Sequence, residues 1–335
     1  MIPPYTQYRG FSNHLGNRDK DEQKEEDVMK RILECRASDF ITFNRQDLVG
    51  SIRKAEGRTV MAEVIPTVQP LYPEVTNAEL ARAFGADLIL LNMLDVFHPY
   101  IKGLESHALF GDMPGEEMSD NPILELKRLI GLPIGVNLEP VDFSERSSEM
   151  NEVKRGRLAS VEAFQKASEL GIDFVCLTGN PNTGVTNEAI EQAIIRGRRE
   201  FAGAIIAGKM HQAGVGSVLD RDAYIRFVEA GADIILLPAP GTVPGVREEA
   251  FHELVQELQA LGALTLAAIG TSQEGADVAT VREIALSSKR GGADIVHIGD
   301  AGLSGIAVPE NIQALSIAIR GRRHTYIRMA ASVNR

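Results

Sequence analysis

The sequence contains no tryptophan, only two cysteines, and an aromatic fraction of 5%. Two cysteines, Cys35 and Cys176, are too few for a disulfide framework, and no cysteine pair has the spacing of a metal site. The chain has no apolar run long enough to cross a bilayer, and its N-terminus has no basic segment followed by an apolar core. These absences argue against a secreted or membrane-spanning protein, and we expect a cytoplasmic one.

Positive charge is also scarce along the chain. The 335 residues include 35 Lys and Arg against 46 Asp and Glu, which gives a formal net charge of -11. Nucleic acids attract clustered basic side chains, so this balance argues against a nucleic-acid partner. We expect a homo-oligomer that binds a small anionic metabolite. The one basic cluster is predicted to be a solvated helix end, open to a subunit contact, and contains Arg320, Arg322, Arg323, His324 and Arg328.

What the sequence has in abundance is a repeated phrase in which Gly, a small or apolar residue and Asp precede an apolar run. Four near-copies begin at Gly85, Gly171, Gly231 and Gly292. Glycine can end a helix in the left-handed conformation, and the apolar run predicts a buried strand. With its weaker copies, the phrase returns about every 30 residues from Gly171 onward, which is the length of one βα unit and indicates a parallel sheet covered by helices.

This period predicts eight strands. Eight consecutive strand–helix units match a single (β/α)8 barrel, the α/β fold known as the TIM barrel. An open doubly wound sheet is the alternative, but no strand is followed by a G-x-G-x-x-G turn that enters a helix. The strands are expected near residues 59–65, 87–92, 133–138, 173–178, 204–208, 233–237, 264–269 and 294–298.

The N-terminal part is predicted to be a helical extension packed on the barrel. A first helix has Val28, Ile32 and Leu33 at helical spacing, and a second runs from about Asn44 to Gly57. The stretch 39–43 between them is interpreted as an extra strand. The whole chain divides into a mobile arm (1–23), the N-terminal helices (24–57), the barrel (58–320) and a basic tail (321–335).

Two connections are much longer than the others. They run over about 93–121 and 140–158, and both follow the C-terminal end of a predicted strand. In barrel enzymes this face carries the chemistry, so these loops are interpreted as lids over a pocket. Neutral surface insertions are the alternative.

Two charged residues lie within or directly after apolar strands. Glu63 lies inside the run VMAEVI, where a buried carboxylate needs protonation or a partner such as Lys209. Lys209 follows the run AIIAG, where desolvation lowers the pKa of a lysine and suits a base, a Schiff-base nucleophile or a phosphate contact. We predict that both are catalytic. The alternatives are a structural salt bridge for Glu63 and a strand-ending lysine that reaches water for Lys209.

Other polar residues at the predicted strand ends are expected to converge and bind substrate. Thr178 and Asn180 stand in a glycine-bounded turn that either binds a hydroxyl or caps the next helix. His297 stands within the last strand, where a hydrogen-bonded core residue is the alternative. The predicted substrate-binding set is Asn92, Asn137, Glu139, Thr178, Asn180, His211 and His297.

The loops after the seventh and eighth strands are glycine-rich, and in this fold they commonly hold phosphate. Glycines let backbone N–H groups approach an anion, and hydroxyls add donors. Asp300 departs from this pattern, because a carboxylate repels phosphate and suits hydroxyls or Mg²⁺. The predicted phosphate-binding residues are Gly270, Thr271, Ser272, Gly299, Asp300 and Gly302.

A metal ion is not required by any motif, because no D-x-D or H-x-H pair stands at a predicted strand end. Mg²⁺ needs few protein ligands, however, and Glu63, Asp95 and Glu139 form the alternative metal-binding set. No other cofactor is expected.

Three short segments resemble known barrels. The turn 178–184 and the loops 270–272 and 299–302 are similar to those of phosphate-binding (β/α)8 barrels, in particular BtpA-like proteins and N-acetylmannosamine-6-phosphate epimerases. The segment from Ser38-Asp39-Phe40 through Glu56-Gly57-Arg58, together with Ala62-Glu63, also resembles an uncharacterised bacterial group of TIM barrels, some labelled phosphoenolpyruvate phosphonomutase or haloacid dehalogenase-like hydrolase. The resemblance implies a barrel that acts on a small phosphorylated compound.

Three functions are consistent with these residues. The first is an epimerase, isomerase or aldolase that acts on a small phosphorylated or polyhydroxylated carbonyl compound. In this case Lys209 and Glu63 handle protons, and Asn92 and Asn137 orient hydroxyls or an enolate. The second is a Mg²⁺-dependent phosphoenolpyruvate mutase-like or lyase-like enzyme. The third is a barrel that binds a metabolite without catalysis, since a fold does not establish an activity.

Overall fold

The computed structural model of the chain describes residues 29–104, 120–142, 144, 152–180, 183–210 and 219–335. Eight parallel strands form a closed barrel in sequence order, and one helix follows each strand. The predicted (β/α)8 barrel is therefore confirmed. The predicted arm over 1–23 lies outside the described residues. Within the described ranges, no helix is both long and apolar enough to cross a membrane.

The strands and helices have short, regular bounds. The strands are β1 (Thr59–Val64), β2 (Leu88–Leu91), β3 (Ile134–Leu138), β4 (Phe174–Leu177), β5 (Ala204–Gly208), β6 (Ile234–Pro238), β7 (Leu264–Ile269) and β8 (Ile295–Ile298). The helices are α1 (Ala37–Phe40), α2 (Arg45–Arg53), α3 (Asn77–Ala83), α4 (Pro122–Ile130), α5 (Val161–Glu169), α6 (Asn187–Glu200), α7 (Arg221–Glu229), α8 (Glu248–Ala260), α9 (Val278–Arg290) and α10 (Pro309–Ala330).

The strand register determines which side chains face the barrel interior. Residues paired across parallel strands point to the same side, and successive residues alternate. The pairings close consistently around the barrel, from β1 through β8 and back to β1. The inward positions nearest the C-terminal end are Glu63, Leu90, Asn137, Cys176, Ile206, Leu236, Ala268 and His297.

The repeated phrase joins the strands in pairs. Each of its four aspartates lies just before an even-numbered strand, and its carboxylate accepts the backbone N–H of a residue in or just before the preceding strand. Asp87 accepts from Val60 at 2.9 Å, and Asp173 accepts from Ile134 at 2.7 Å. Asp233 accepts from Ile205 at 2.8 Å, and Asp294 accepts from Thr265 at 2.9 Å. The phrase therefore stabilises the face opposite the C-terminal strand ends, which is why it specifies the scaffold.

The basic cluster near the C-terminus is not a uniformly solvated helix end, and that prediction is wrong for two of its members. Arg320 and Arg328 are buried, and both donate to the carboxylate of Asp87, at 2.5 and 2.8 Å. Arg328 also donates to the carbonyl oxygens of Ile32 and Cys35. The C-terminal helix is thereby tied to β2 and to the N-terminal segment. Gly321, with non-helical φ 75° and ψ 165°, puts a kink into α10 at the predicted start of the tail.

The extra strand predicted over 39–43 is wrong. Residues 37–40 form the short helix α1, in which the Asp39 carboxylate accepts the N–H of Arg36 at 2.8 Å. Phe40 and Phe43 then pack edge to face, with ring centroids 5.3 Å apart. The helix predicted around Ile32 is also wrong, because residues 31–36 form a turn and an extended segment. The second helix is confirmed as α2, capped by the Asn44 side chain.

Candidate active site

A cavity of about 540 Å³ opens at the C-terminal end of the barrel. Inward strand positions form its floor, and the loops after β2, β4, β7 and β8 form its rim. This volume suits a small metabolite. The predicted site residues that line the cavity are Glu63, Asn92, Asn137, Thr178, Asn180, Gly270, Thr271, Ser272, His297, Gly299, Asp300 and Gly302.

The Glu63 carboxylate lies in the cavity floor and is 6% exposed. Its Oε1 accepts a hydrogen bond from Asn137 Nδ2 at 2.6 Å, and its Oε2 lies 3.2 Å from His297 Nε2. The second contact has the distance of an ion pair but not the alignment of a hydrogen bond, since neither ring nitrogen of His297 has a partner by that criterion within the described residues. A carboxylate and an imidazole, both able to carry a proton, thus meet at the floor.

A row of amide side chains connects this floor to the rim. Asn137 Nδ2 also donates to Asn92 Oδ1 at 3.0 Å, and Asn92 Nδ2 donates to Asp300 Oδ2 at 2.7 Å. Asn92 and Asn180 exchange two longer hydrogen bonds of 3.3 Å. Because the four side chains hold one another, the donors and acceptors along one wall of the cavity have fixed positions.

Glu139 lies behind this row and does not line the cavity. Its carboxylate accepts from the buried Arg157 side chain, and from the backbone N–H and Nδ2 of Asn180, both at 3.1 Å. The pair Glu139–Arg157 therefore positions Asn180. No sequence pattern distinguished Arg157 from the neighbouring Arg155, so its contribution was missed.

Asp300 stands at the rim with an altered acidity. Burial, reinforced by the negative charge of Glu63, raises the pKa of Asp300 to about 6, from an ordinary value of 3.8. The hydrogen bonds from Asn92 and from the N–H of Gly302 act in the opposite direction. A carboxyl group with this pKa exchanges its proton close to neutral pH, which suits a general acid or base.

Asp300→Asn is expected to stabilise the protein increasingly as pH rises. Between about pH 4 and about pH 6 the folded chain keeps the Asp300 proton that the unfolded chain has released, so the wild type loses stability across this window. Asparagine has no proton to keep or release. The free energy of unfolding of the variant, compared with that of the wild type, should therefore rise by on the order of 2 kcal/mol across this window, allowing for partial solvent screening. Urea unfolding at about pH 4.5 and about pH 7 measures the change. If the free energies of unfolding of the variant and the wild type differ by the same amount at both pH values, the raised pKa is contradicted.

Glu274 is a cavity residue that the sequence did not reveal. It belongs to a 3-10 turn after β7, is 5% exposed, and lines the cavity. Burial raises the pKa of its carboxyl group, and the nearby charge of Glu63 adds to the effect. The one available signal was an acid inside the glycine-bounded run GTSQEG, which we interpreted only as a phosphate loop.

Several polar atoms of the cavity wall have no partner. Among the residues that the structure describes, Asn137 Oδ1, Glu274 Oε2 and both ring nitrogens of His297 are buried without a hydrogen bond. Buried polar groups in folded proteins are normally paired, and leaving one unpaired costs free energy. Three adjacent residues with unpaired atoms around one cavity indicate a wall that a ligand completes.

Backbone strain is concentrated at the same place. Five non-glycine residues in the described ranges have a positive φ. Three of them, Met93, Thr271 and Ser272, line the cavity, and Ala301 stands between two residues that do. Such conformations cost free energy and persist at functional sites, where they fix a required geometry.

Lys209 is not in the cavity, which corrects the expectation that it faces the interior. Gly208 pairs with the inward Leu236, so the next residue points outward, toward the helices. Lys209 is 7% exposed, and burial lowers the pKa of its amine while Glu188 and Asp220 partly oppose this. Met210, not Lys209, lines the cavity. His211 lies outside the described residues, so its predicted role stays a prediction.

The glycine loops line the cavity, but the N–H groups of their glycines already have acceptors. The N–H of Gly270 donates to Thr242 Oγ1, that of Gly299 to the Ile269 carbonyl, and that of Gly302 to Asp300. In the part of the chain that the structure describes, no lysine or arginine lines the cavity. The predicted phosphate site therefore has no basic side chain among the described residues to balance the charge of an anion.

The alternative metal-binding set is not gathered at one point. Asp95 accepts the backbone N–H groups of Phe97 and His98, and Glu139 is held by Arg157. Over the described ranges, no group of three or more His, Cys, Asp or Glu is placed to hold a metal ion. These residues do not fit a Mg²⁺ site, and no step below involves a metal.

Cys176 also lines the cavity but does not suit nucleophilic catalysis. Complete burial, together with the nearby charge of Glu63, raises the pKa of its thiol well above the ordinary value. The thiolate is the reactive form of cysteine, and here it is disfavoured.

Comparison with known proteins gives one family match and several distant structural likenesses. A family described as "Domain of unknown function (DUF7916)" matches residues 33–335. The comparison with curated proteins finds no match. One similar solved structure is 2,3-dimethylmalate lyase, titled a PEP mutase/isocitrate lyase superfamily member. It has 13% identity, covers 80% of this chain and 82% of that chain, and has a TM-score of 0.47.

Two further solved structures are similar to the same degree. A putative lyase/mutase from Burkholderia cenocepacia J2315 has 16% identity over 76% of this chain and 82% of that chain, with a TM-score of 0.45. Oxaloacetate acetylhydrolase has 14% identity over 76% of this chain and 79% of that chain, also with a TM-score of 0.45. Likenesses of this size concern the fold and assign no activity to this chain.

Proposed function

The chain belongs to the DUF7916 family, a domain of unknown function, and we propose that it is an enzyme that transfers a proton on a small hydroxylated carbonyl compound. The observation that carries this proposal is the Glu63–His297 contact of 3.2 Å at the floor of the 540 Å³ cavity. Both side chains are almost fully buried, so their proton-carrying groups are directed at whatever occupies the cavity. Lyases of the aldolase type, isomerases and epimerases share this step.

Glu63 is the base in this proposal. Its carboxylate removes a proton from the carbon next to the carbonyl group, so that the C–H electron pair forms a C=C bond and the carbonyl π pair moves to oxygen. Asn137 holds the carboxylate through its 2.6 Å hydrogen bond. The nearby His297 imidazole stabilises the charge on Glu63 before the reaction and can relay the proton afterwards.

Asp300 is the acid that completes the step. With a pKa of about 6, part of the Asp300 population is protonated near neutral pH. The protonated carboxyl gives its proton to the developing enolate oxygen, and the product is an enediol. Glu63 then returns its proton to one of the two carbons, on either face, while Asp300 takes back a proton from the hydroxyl oxygen on the other carbon, so that a C=O bond forms again. The product is an isomer, an epimer or the starting compound. Two carboxyl groups in different environments thereby take different roles, which is a common arrangement in acid–base catalysis.

Two features support catalysis over simple binding. Strained backbone and unpaired buried polar atoms both occur at this cavity, and both cost stability. Proteins generally keep such departures from local rules where function needs a fixed geometry. A binding barrel without catalysis requires no base at the floor and no acid at the rim.

The proposal is tested by proton exchange in ²H₂O. The protein is incubated with hydroxylated aldehydes, ketones and 2-keto acids, amine-bearing members and phosphate esters included, with and without Mg²⁺. Proton NMR then follows loss of the signal from the carbon next to the carbonyl. We expect exchange with at least one compound, without added Mg²⁺. Saturable binding in this panel with no exchange above the protein-free rate contradicts the proposal and supports a binding barrel.

A further inference from the structure

The charges on the cavity wall restrict what it can bind. Three carboxyl groups line it, those of Glu63, Glu274 and Asp300, and the one potential cation among the described lining residues is His297. His297 lies beside Glu63, with 3.2 Å between Nε2 and Oε2. No lysine or arginine in the described part of the chain lines the cavity beside Glu274 or Asp300, and His297 is the one side chain whose positive charge would act on Glu274.

The Glu274 carboxylate lies near the end of β8. Its carboxyl carbon lies 3.6 Å from the point where a side chain on Gly299 would begin. The charge of Glu63 helps to raise the pKa of both Glu274 and Asp300, and the charge of Glu274 adds to the effect on Asp300. Two carboxyl groups in a poorly hydrated site attract a cation strongly and repel a phosphate.

The unpaired atoms at this wall point to the same chemistry. Glu274 Oε2 and Asn137 Oδ1 are buried acceptors without donors in the described residues. Both side chains are at least nine-tenths buried, at 5% and 4% exposure. A ligand that satisfies them must bring N–H or O–H groups, which the fully ionised phosphoryl group of a phosphate monoester lacks.

We infer that the compound bound in this cavity carries a protonated amine together with hydroxyl groups, and that the amine binds at Glu274, which leaves Asp300 free to act as the acid. The ligand is thus an amino-hydroxy compound and not a phosphate ester. This inference deepens the proposed function, because it names the substrate class of the same cavity: a hydroxylated carbonyl compound that bears an amine.

Small probes of matched shape test the inference without knowledge of the substrate. Tris at pH 7 is a hydroxylated ammonium ion, and pentaerythritol is its uncharged counterpart with a fourth hydroxymethyl group. Inorganic phosphate is the anionic probe, and MgCl₂ is the metal probe, all at equal ionic strength. Thermal unfolding against probe concentration gives an apparent Kd for each. We expect the Kd of Tris to be at least about tenfold lower than that of pentaerythritol, and phosphate to give no specific shift.

Glu274→Gln tests whether the Glu274 carboxylate selects the amine. The variant is expected to weaken Tris binding about tenfold, to the level of pentaerythritol, and to leave pentaerythritol binding unchanged. Glu249→Gln is the matched control, since it makes the same chemical change at an exposed position of α8. It should leave the binding of both probes unchanged. If Glu274→Gln does not fold, the comparison of the probes on the wild type still decides the matter.

Each contrary result overturns the inference. These results are equal binding of Tris and pentaerythritol, binding of neither, specific stabilisation by phosphate or by Mg²⁺ alone, and an unchanged Tris preference in Glu274→Gln. The proposed function fails separately. If the protein prefers Tris but no compound of the carbonyl panel exchanges a proton, the amine site stands and the proposed catalysis is wrong. Exchange confined to phosphate esters retains the catalysis and removes the amine site.

Discussion

Glu63→Gln is expected to lower the rate of solvent deuterium exchange into the substrate by about two to four orders of magnitude, the usual contribution of a general base. Glutamine is nearly isosteric with glutamate and keeps an oxygen that can accept the Asn137 hydrogen bond. What it removes is the group that takes the proton. NMR in ²H₂O measures the rate, with the most reactive compound of the carbonyl panel.

Lys209→Met is the control for that experiment. Lys209 is as buried as Glu63, at 7% against 6%, and also follows an apolar run, that of β5, but it points away from the cavity. We expect the exchange rate of Lys209→Met to stay within about threefold of the wild-type rate. This corresponds to a change in the activation barrier of less than about 1 kcal/mol. A large loss in Lys209→Met together with a small loss in Glu63→Gln would reverse our assignment of the base.

Asp87→Asn is expected to destabilise the fold by about 3–5 kcal/mol, the typical cost of removing one partner from a buried ion pair. Asp87 is fully buried, and Arg320 and Arg328 both donate to it. The asparagine leaves two buried guanidinium groups without a counter-charge, in a joint that ties α10 to β2. Urea unfolding at neutral pH measures the loss in free energy of unfolding.

Asp294→Asn is the matched control because it changes the same position of the repeated phrase. Asp294 also accepts a strand N–H, from Thr265 at 2.9 Å, but its other side-chain donors are Gln259 and the Thr265 hydroxyl. No arginine is left unpaired, so we expect a cost of about 1 kcal/mol, that of a hydrogen bond. Equal losses for the two variants would mean that the hydrogen bond, and not the ion pair, carries the stability at Asp87.

The sequence was enough to predict the barrel because the information is local. The glycine and aspartate of each phrase mark one helix-to-strand joint, and each aspartate bonds the strand directly before it in the chain, 27 to 39 residues away, so four joints repeat the same geometry. Glu63 was predictable for a similar reason, since an acid inside an apolar strand must face a special environment.

Lys209 and Glu274 show where local information ends. Side chains of β5 alternate between the barrel interior and the helices, but the residue pattern around Lys209 does not show which set faces inward. The pairing of β5 with its neighbouring strands decides this. Glu274 reaches the cavity because Thr271 and Ser272 adopt positive φ angles just before it. Neither residue type favours that conformation, so the turn could not be predicted.

The predictions for the C-terminal arginines and for the segment 39–43 were wrong for a further reason. The partner of Arg320 and Arg328 is Asp87, more than two hundred positions earlier in the chain, so composition could not distinguish a buried pair from a solvated cluster. In residues 39–43 the aromatic and β-branched content favours a strand. The capping contact of Asp39 and the packing of Phe40 outweigh that preference. Assembly as a homo-oligomer and a cytoplasmic location stay predictions.

The central claim is that the cavity is a proton-transfer site whose base is Glu63. Its most direct test is deuterium incorporation from ²H₂O into the carbonyl panel by the wild type, Glu63→Gln and Lys209→Met under identical conditions. The account predicts incorporation next to the carbonyl group of an amine-bearing hydroxylated compound by the wild type and by Lys209→Met, and little or none by Glu63→Gln. Equal incorporation by all three proteins, or none by the wild type, would contradict it.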